Sequence, residues 1–133
     1  MRVPDGSRAS VNPSFPLSDT LVLMASDHYF SATPASPENL RRIRVPIAGR
    51  DVMLSTAGGT FSPERLDAGT SVLLANTPPP PPGGHFLDLG CGWGPIALTM
   101  ATLSPHATVW AVDVNERALG LVRKNAEELG LDN

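Results

Sequence analysis

Phe86-Leu87-Asp88-Leu89-Gly90-Cys91-Gly92-Trp93-Gly94-Pro95 is the stretch on which the fold turns. Its first four residues read as a short strand, and three glycines in the next five positions make a turn where backbone can approach a ligand closely. Pro95, with φ preset near the helical value and no N–H to leave unpaired, opens a helix. The apolar run that follows predicts that helix over residues 95–103, ending before Pro105. Thr108-Val109-Trp110-Ala111-Val112 is then almost wholly apolar or β-branched, the pattern of a parallel strand covered on both faces. It ends at Asp113. Asn115 caps a second helix in which Ala118, Leu119, Val122, Ala126 and Leu129 share one face, with Gly130 as its stop. Strand, helix, strand, helix in that order makes this part of the chain α/β with a parallel sheet.

Toward the N-terminus, Pro78 to Pro82 with Gly83-Gly84 read as a solvated polyproline spacer that can enter neither a ladder nor a helix interior. Before it, Thr70 can cap Ser71-Val72-Leu73-Leu74-Ala75, and Ser62-Pro63-Glu64 is another helix start. Ile43, Val45 and Ile47 alternate with Arg42, Arg44 and Pro46. After a turn at Ala48-Gly49-Arg50, Val52, Leu54 and Thr56 alternate with Asp51, Met53 and Ser55, which completes a β-hairpin. Residues 1–26 have no sustained period and are expected to form a disordered leader, with Met24 an alternative start and pattern beginning at Asp27-His28-Tyr29-Phe30. The expected organisation is thus a leader at 1–26, a hairpin-and-helix part at 27–76, a Pro/Gly spacer at 77–84 and a ligand-binding α/β part at 85–133.

Composition narrows the functional classes. A single Cys, Cys91, cannot make an internal disulfide, so a reducing, cytoplasmic setting is the default. No run of 18 apolar residues occurs, and Leu21-Val22-Leu23-Met24-Ala25 is too short for a signal sequence. The net charge of −3 argues against non-specific nucleic-acid binding by the chain as a whole. Its distribution is uneven, because residues 1–50 hold six Arg against four acids and the remainder is acidic. A polyanion would meet the first half, where Arg41, Arg42, Arg44 and Arg50 fall within ten residues. His28, His85 and His106 lack metal-ligand spacing and Cys91 has no Cys partner, so no metal site is expected. Neither a G-x-S-x-G nor a P-loop is present. Trp93 and Trp110 read as packing residues.

A glycine loop between strand and helix serves two ligand classes, dinucleotides and S-adenosylmethionine. The dinucleotide fingerprint G-x-G-x-x-G would need glycine at position 95, where this chain has Pro95. Charge is a second discriminator. A carboxylate at Asp88, at the mouth of the strand, would repel a pyrophosphate but attract an ammonium or sulfonium by about 1–4 kcal/mol. Asp113, at the end of the next strand, can accept hydrogen bonds from ribose hydroxyls and suits both classes.

Leu87-Asp88-Leu89-Gly90-Cys91-Gly92-Trp93-Gly94 with Ala111-Val112-Asp113-Val114-Asn115 resembles motifs I and II of class I S-adenosylmethionine-dependent methyltransferases. Asp27-His28-Tyr29-Phe30, the Arg-rich hairpin, Phe61-Ser62 and Leu66-Asp67-Ala68-Gly69-Thr70 with Leu73-Leu74 resemble the methyltransferase small domain family, which includes enzymes that methylate guanine N2 in 16S and 23S ribosomal RNA. The resemblance spans about residues 27–133. It implies a Rossmann-like α/β methyltransferase fold, of which the first β-α-β-α half is written here after a hairpin and short helix. It also implies that Gly90, Cys91, Gly92 and Gly94 hold the cofactor's methionine and ribose portions, that Asp113 takes the ribose hydroxyls, and that Asn115 lies toward adenine. Asp67, Gly69 and Thr70 match a D-x-G-T element at the methionine end. The free N–H groups of a helix opened by Thr70 could receive the cofactor carboxylate.

The resemblance implies in-line methyl transfer to an exocyclic amine of ribosomal RNA, achieved by positioning and exclusion of water without a metal. Phe61 could stack on a flipped base, although the core is the ordinary place for such a residue. Arg42, Arg44 and Arg50 could meet phosphates, or simply form a solvated strand face. The family's Asn-Pro-Pro-aromatic motif, which holds the amine, does not occur in these 133 residues. The chain alone is therefore expected to be inactive, and poorly stable or associating. Two other readings stay open: methylation of a protein glutamine or small amine, and a non-catalytic cofactor-binding or interaction module.

Overall fold

The computed structural model describes residues 1–3, 32–35 and 37–133. Most of the expected leader, Met24, His28 and the Asp27-His28-Tyr29-Phe30 element lie outside the described residues. Strands β1 (Arg41–Ile47) and β2 (Arg50–Thr56) form an antiparallel hairpin, followed by helix α1 (Ala68–Asn76). Then come β3 (Gly83–Leu89), α2 (Pro95–Leu103), β4 (His106–Val112) and α3 (Glu116–Leu129), with β3 and β4 paired in parallel.

The hairpin turn is two residues, Ala48 and Gly49, both at positive φ (49° and 77°), as the right-handed twist of the flanking strands requires. Arg50 accordingly belongs to β2, where it opposes Ile47. The helix start expected at Ser62 does not form. Ser62 sits at φ 47° in a succession of turns, and its Oγ donates to the Arg65 carbonyl. Thr70 does not cap α1 either. Asp67 is the N-cap, its Oδ2 accepting from the Thr70 N–H at 3.0 Å, which places Gly69 and Thr70 inside the first turn. The spacer is shorter than its composition suggests. Gly83 and Gly84 pair with His106 and Ala107, while the Pro81 and Pro82 carbonyls accept from Ser104 Oγ and the His106 N–H. Prolines cannot donate to a ladder, but their carbonyls accept as well as any.

Helices α2 and α3 form a middle layer between two small sheets. Val45, Ile47 and Leu54 of the hairpin meet Trp93, Leu98, Leu121 and Ala126 on one side. On the other, Val109 and Ala111 of β4 meet Ala97, Ala101 and Val122. Asn125 of α3 joins the layers. Fully buried, it accepts from the Ser55 N–H at 2.7 Å and donates to the Ser55 and Trp93 carbonyls at 3.0 and 3.1 Å, so its amide caps the outer edge of β2.

Among the described residues, the parallel sheet is covered on one face only. Phe86 and Asp88 with Val109 and Ala111 face the helices, whereas Leu87 opposes Trp110 and Leu89 opposes Val112 on the other side. There Leu87 is 61% and Leu89 77% exposed. Along the outer edge of β4, the Arg2 N–H donates to the Val109 carbonyl and the Ala111 N–H to the Arg2 carbonyl.

Candidate functional site

The sharp turn from β3 into α2 and the end of β4 bound one cavity of about 480 Å³, a size suited to a small ligand. Gly90, Cys91, Gly92 and Trp93 form its floor, Val112, Asp113, Val114 and Asn115 one side, and Phe61, Ser62, Asp67 and Thr70 another. Gly90 and Gly92 stand at φ 80° and 55°, and a Cβ built on either meets nothing within 4 Å. Their need for glycine is conformational, and the space beside them is open to a ligand. Gly94 differs. At φ 102° it caps α2, and a Cβ there would lie 3.1 Å from Val122 and 3.3 Å from Leu98. It serves helix packing and is absent from the cavity wall.

Four of the loop's N–H groups point into the protein. Gly90 and Cys91 both donate to the Val112 carbonyl, at 2.7 and 3.0 Å, and Gly94 donates to the Cys91 carbonyl. Gly92 donates to Asp113 Oδ2 at 2.8 Å, and Asp113 Oδ1 accepts from the Asn115 N–H at 2.8 Å. A carboxylate has about four acceptor positions, so Asp113 keeps about two beyond these bonds while lining the cavity. At the start of α2, Pro95 has no N–H, Ala97 donates to Asp88 Oδ2 at 2.9 Å, and Leu98 donates to the Gly94 carbonyl. That leaves the Ile96 N–H, on the cavity wall, as the one donor this helix start can offer a ligand.

Asp88 therefore does different work from the charge role expected of it. It is buried, absent from the cavity wall, and caps α2 from the neighbouring strand. Burial raises its carboxyl above the ordinary range, opposed by the bond from Ala97, with Asp113 adding a like-charge push. The charge argument passes instead to Asp67 and Asp113: among the described residues, the cavity wall carries these two carboxylates and no Lys, Arg or His. Thr70 lines the cavity, but its N–H is engaged by Asp67 and is not offered to a cofactor carboxylate; Gly69 does not line it.

Asn115 is the buried N-cap of α3, accepting from the Arg117 and Ala118 N–H groups and donating to the Gly59 carbonyl at 2.7 Å. Phe61 is not in the core; it is 47% exposed and lines the cavity. The arginines do not form one patch. Arg42 and Arg44 project from one face of the hairpin and Arg41 and Arg50 from the other, because the pleat alternates. Arg41 pairs with Glu64 at 2.6 Å and Arg42 with Glu128 at 2.8 Å, and none of the four lines the cavity. Sequence spacing missed Trp93 as a site residue. Its indole N–H reaches the Phe61 and Ser62 carbonyls at 3.2 and 3.3 Å, a tertiary contact with no local signature.

Burial, with Asp88 and Asp113 nearby, pushes the Cys91 thiol up to about 12. At pH 8 about one molecule in 10⁴ would carry a thiolate, against roughly one in ten for a thiol at its ordinary value of 9.0. Cys91 is thus expected to alkylate with iodoacetamide about 10³-fold more slowly in the folded chain than in urea, as mass spectrometry would follow. Comparable rates would mean that the loop opens readily.

Among the described residues, no group of three or more His, Cys, Asp or Glu side chains is placed to hold a metal ion, and no helix is long and apolar enough to cross a membrane. Residues 51–132 match the family model of the methyltransferase small domain. The chain is 35% identical over 108 residues to YbxB of Bacillus subtilis (strain 168), covering 81% of this chain and 54% of that protein. It is also 35% identical over 86 residues to ribosomal RNA small subunit methyltransferase C of Shewanella amazonensis, covering 65% of this chain and 25% of the relative. A solved T. thermophilus 16S rRNA N2 methyltransferase, in complex with AdoMet and guanosine, shares the fold with a TM-score of 0.59 at 22% identity, over 74% of this chain and 28% of its own. The chain thus spans about half the length of YbxB and a quarter of the ribosomal RNA methyltransferase.

Proposed function

The chain belongs to the methyltransferase small domain family, and from that premise we propose that it binds S-adenosylmethionine for methyl transfer to an exocyclic amine of ribosomal RNA in the cytoplasm. Guanine N2 of 16S rRNA is the acceptor this reading favours, in keeping with the names of its relatives. The observation that carries the cofactor assignment is the character of the cavity wall: among the described residues it has two carboxylates and no cation, and four of the loop's amides are already engaged within the protein. A dinucleotide pyrophosphate would find no cationic side chain there among the described residues and few free donors. A ligand bearing a sulfonium and an ammonium gains from the same wall.

In this reading the open φ-positive glycines Gly90 and Gly92 let the cofactor lie against backbone, and the unused acceptor positions of Asp113 take the ribose hydroxyls. Asp67 and Thr70 border the methionine end, and Asn115 holds the far wall in place through Gly59. S-adenosylmethionine supplies an electrophilic methyl on sulfur; the chain's own contribution is to bind and orient it and exclude water. The Asn-Pro-Pro-aromatic element is absent from these 133 residues. The residues described are accordingly assigned to cofactor binding, and the clamp on the acceptor amine is not ascribed to them.

Calorimetric titration with S-adenosylhomocysteine and, separately, NAD tests the assignment. Saturable binding of S-adenosylhomocysteine with no heat from NAD is expected. Binding of NAD alone would reverse the argument from the cavity wall.

A further inference from the structure

The turns that follow β2 cross one side of the cavity as a strap, residues 57–63, and side chains from both cofactor-facing loops fasten it. Near its start, Asn115 Nδ2 donates to the Gly59 carbonyl at 2.7 Å and the Arg117 guanidinium to the Gly58 carbonyl at 2.6 Å. Near its end, the Trp93 indole N–H is shared between the Phe61 and Ser62 carbonyls, and Thr56 Oγ1 donates to the Pro63 carbonyl. Within it, Thr60 Oγ1 closes back on the Ala57 carbonyl. Trp93 is itself held, 2% exposed, among Val45, Ile47, Leu54 and Leu98, and its carbonyl accepts from Asn125. The clamp is therefore anchored in the core.

These bonds hold Ser62 at φ 47°, a conformation that a residue with a Cβ rarely adopts unaided, and Phe61 beside it is left 47% exposed on the cavity wall. An aromatic side chain set in a fastened backbone and turned to a ligand cavity offers an apolar face at little further entropic cost. We propose that Phe61 is a stacking wall for a purine ring and that Trp93 is its positioning residue, joining the glycine loop and the wall into one unit. The ring could be the adenine of the cofactor or the acceptor base. The proposal rests on the reading above in taking the cavity as a nucleoside site.

The test uses the 133-residue chain with S-adenosylhomocysteine and guanosine as calorimetric probes, and amide exchange followed by mass spectrometry. Trp93→Phe keeps an aromatic body in the core but removes the N–H. It is expected to raise exchange across residues 57–63 at least about tenfold while β1 and β2 keep their protection, and to weaken the stacked probe about tenfold. Phe61→Leu, at an exposed position, is expected to weaken the same probe about tenfold without the gain in exchange, and Phe61→Tyr to restore binding. Loss confined to S-adenosylhomocysteine identifies adenine as the stacked ring; loss confined to guanosine identifies the acceptor base. Unchanged exchange in Trp93→Phe overturns the clamp, and wild-type binding of both probes by Phe61→Leu overturns the wall. If the wild type binds guanosine but not S-adenosylhomocysteine, the cofactor reading fails while the wall stands; if it binds neither, the wall falls as well.

Discussion

Asn125→Leu is expected to lower the free energy of unfolding by about 3–6 kcal/mol, read from urea denaturation followed by circular dichroism. Leucine shares asparagine's branched outline but its methyl groups are bulkier, so overpacking adds to the cost. What also changes is polar satisfaction, because the Ser55 N–H, the Ser55 carbonyl and the Trp93 carbonyl each take a partner from this one amide. Ser55 is 2% and Asn125 0% exposed, which leaves no direct route for water to replace those bonds. Each buried group left unpaired costs about 1–3 kcal/mol, and a domain of this size has only about 5–15 kcal/mol in total. The substitution therefore threatens the whole fold, since it frees the outer edge of β2 and the turn into α2 together. Lys124→Ala, one residue away on the exposed side of α3, removes only a surface pair with Glu128 and is expected to cost less than about 1 kcal/mol. Similar small losses for both variants would show that water reaches the Ser55 edge.

Local chemistry made some of this legible and geometry withheld the rest. Pro95 and the glycines before it located α2 because the signals for a helix start are carried by the residues themselves. Asn115 and Gly130 bounded α3 for the same reason. Asn125 had no such signal. It sits among Arg123, Lys124, Glu127 and Glu128, and its residue type does not mark it as the one that meets a second sheet. Ser62-Pro63 looked like a helix start, but the Trp93 clamp and the Thr56 bond to the Pro63 carbonyl hold that segment in turns. Thr70 was the cap read from the sequence, but Asp67, three residues before it, takes that role because its carboxylate reaches the Thr70 N–H.

The site was legible as an address more than as a set of roles. Gly90, Gly92 and Asp113 do bound the cavity, yet Asp88 caps a helix and Gly94 admits a neighbouring helix. Both belong to the loop's own construction. The apolar character of residues 108–112 was read as coverage on both faces, but among the described residues the helices lie on one. Leu87, Leu89 and Trp110 are consequently left facing solvent, the physical basis for expecting the isolated chain to associate.

Asp113→Ala should weaken S-adenosylhomocysteine about 30- to 1000-fold, a loss of about 2–4 kcal/mol from two charge-assisted bonds to ribose hydroxyls. Asp113→Asn separates this role from a purely electrostatic one. Both carboxylate oxygens already accept from backbone, one from Gly92 and one from Asn115. An asparagine can present an oxygen to only one of those donors and must turn its NH₂ toward the other, so that two donors confront each other. The asparagine variant should therefore bind as poorly as alanine, and the glycine loop should lose its tie to the end of β4. Calorimetry of both variants, with thermal melts to register the loosened loop, gives the comparison. Near-wild-type affinity in Asp113→Asn would mean that the carboxylate serves the ligand only as a distant charge, and that the loop is held by the two bonds to the Val112 carbonyl alone.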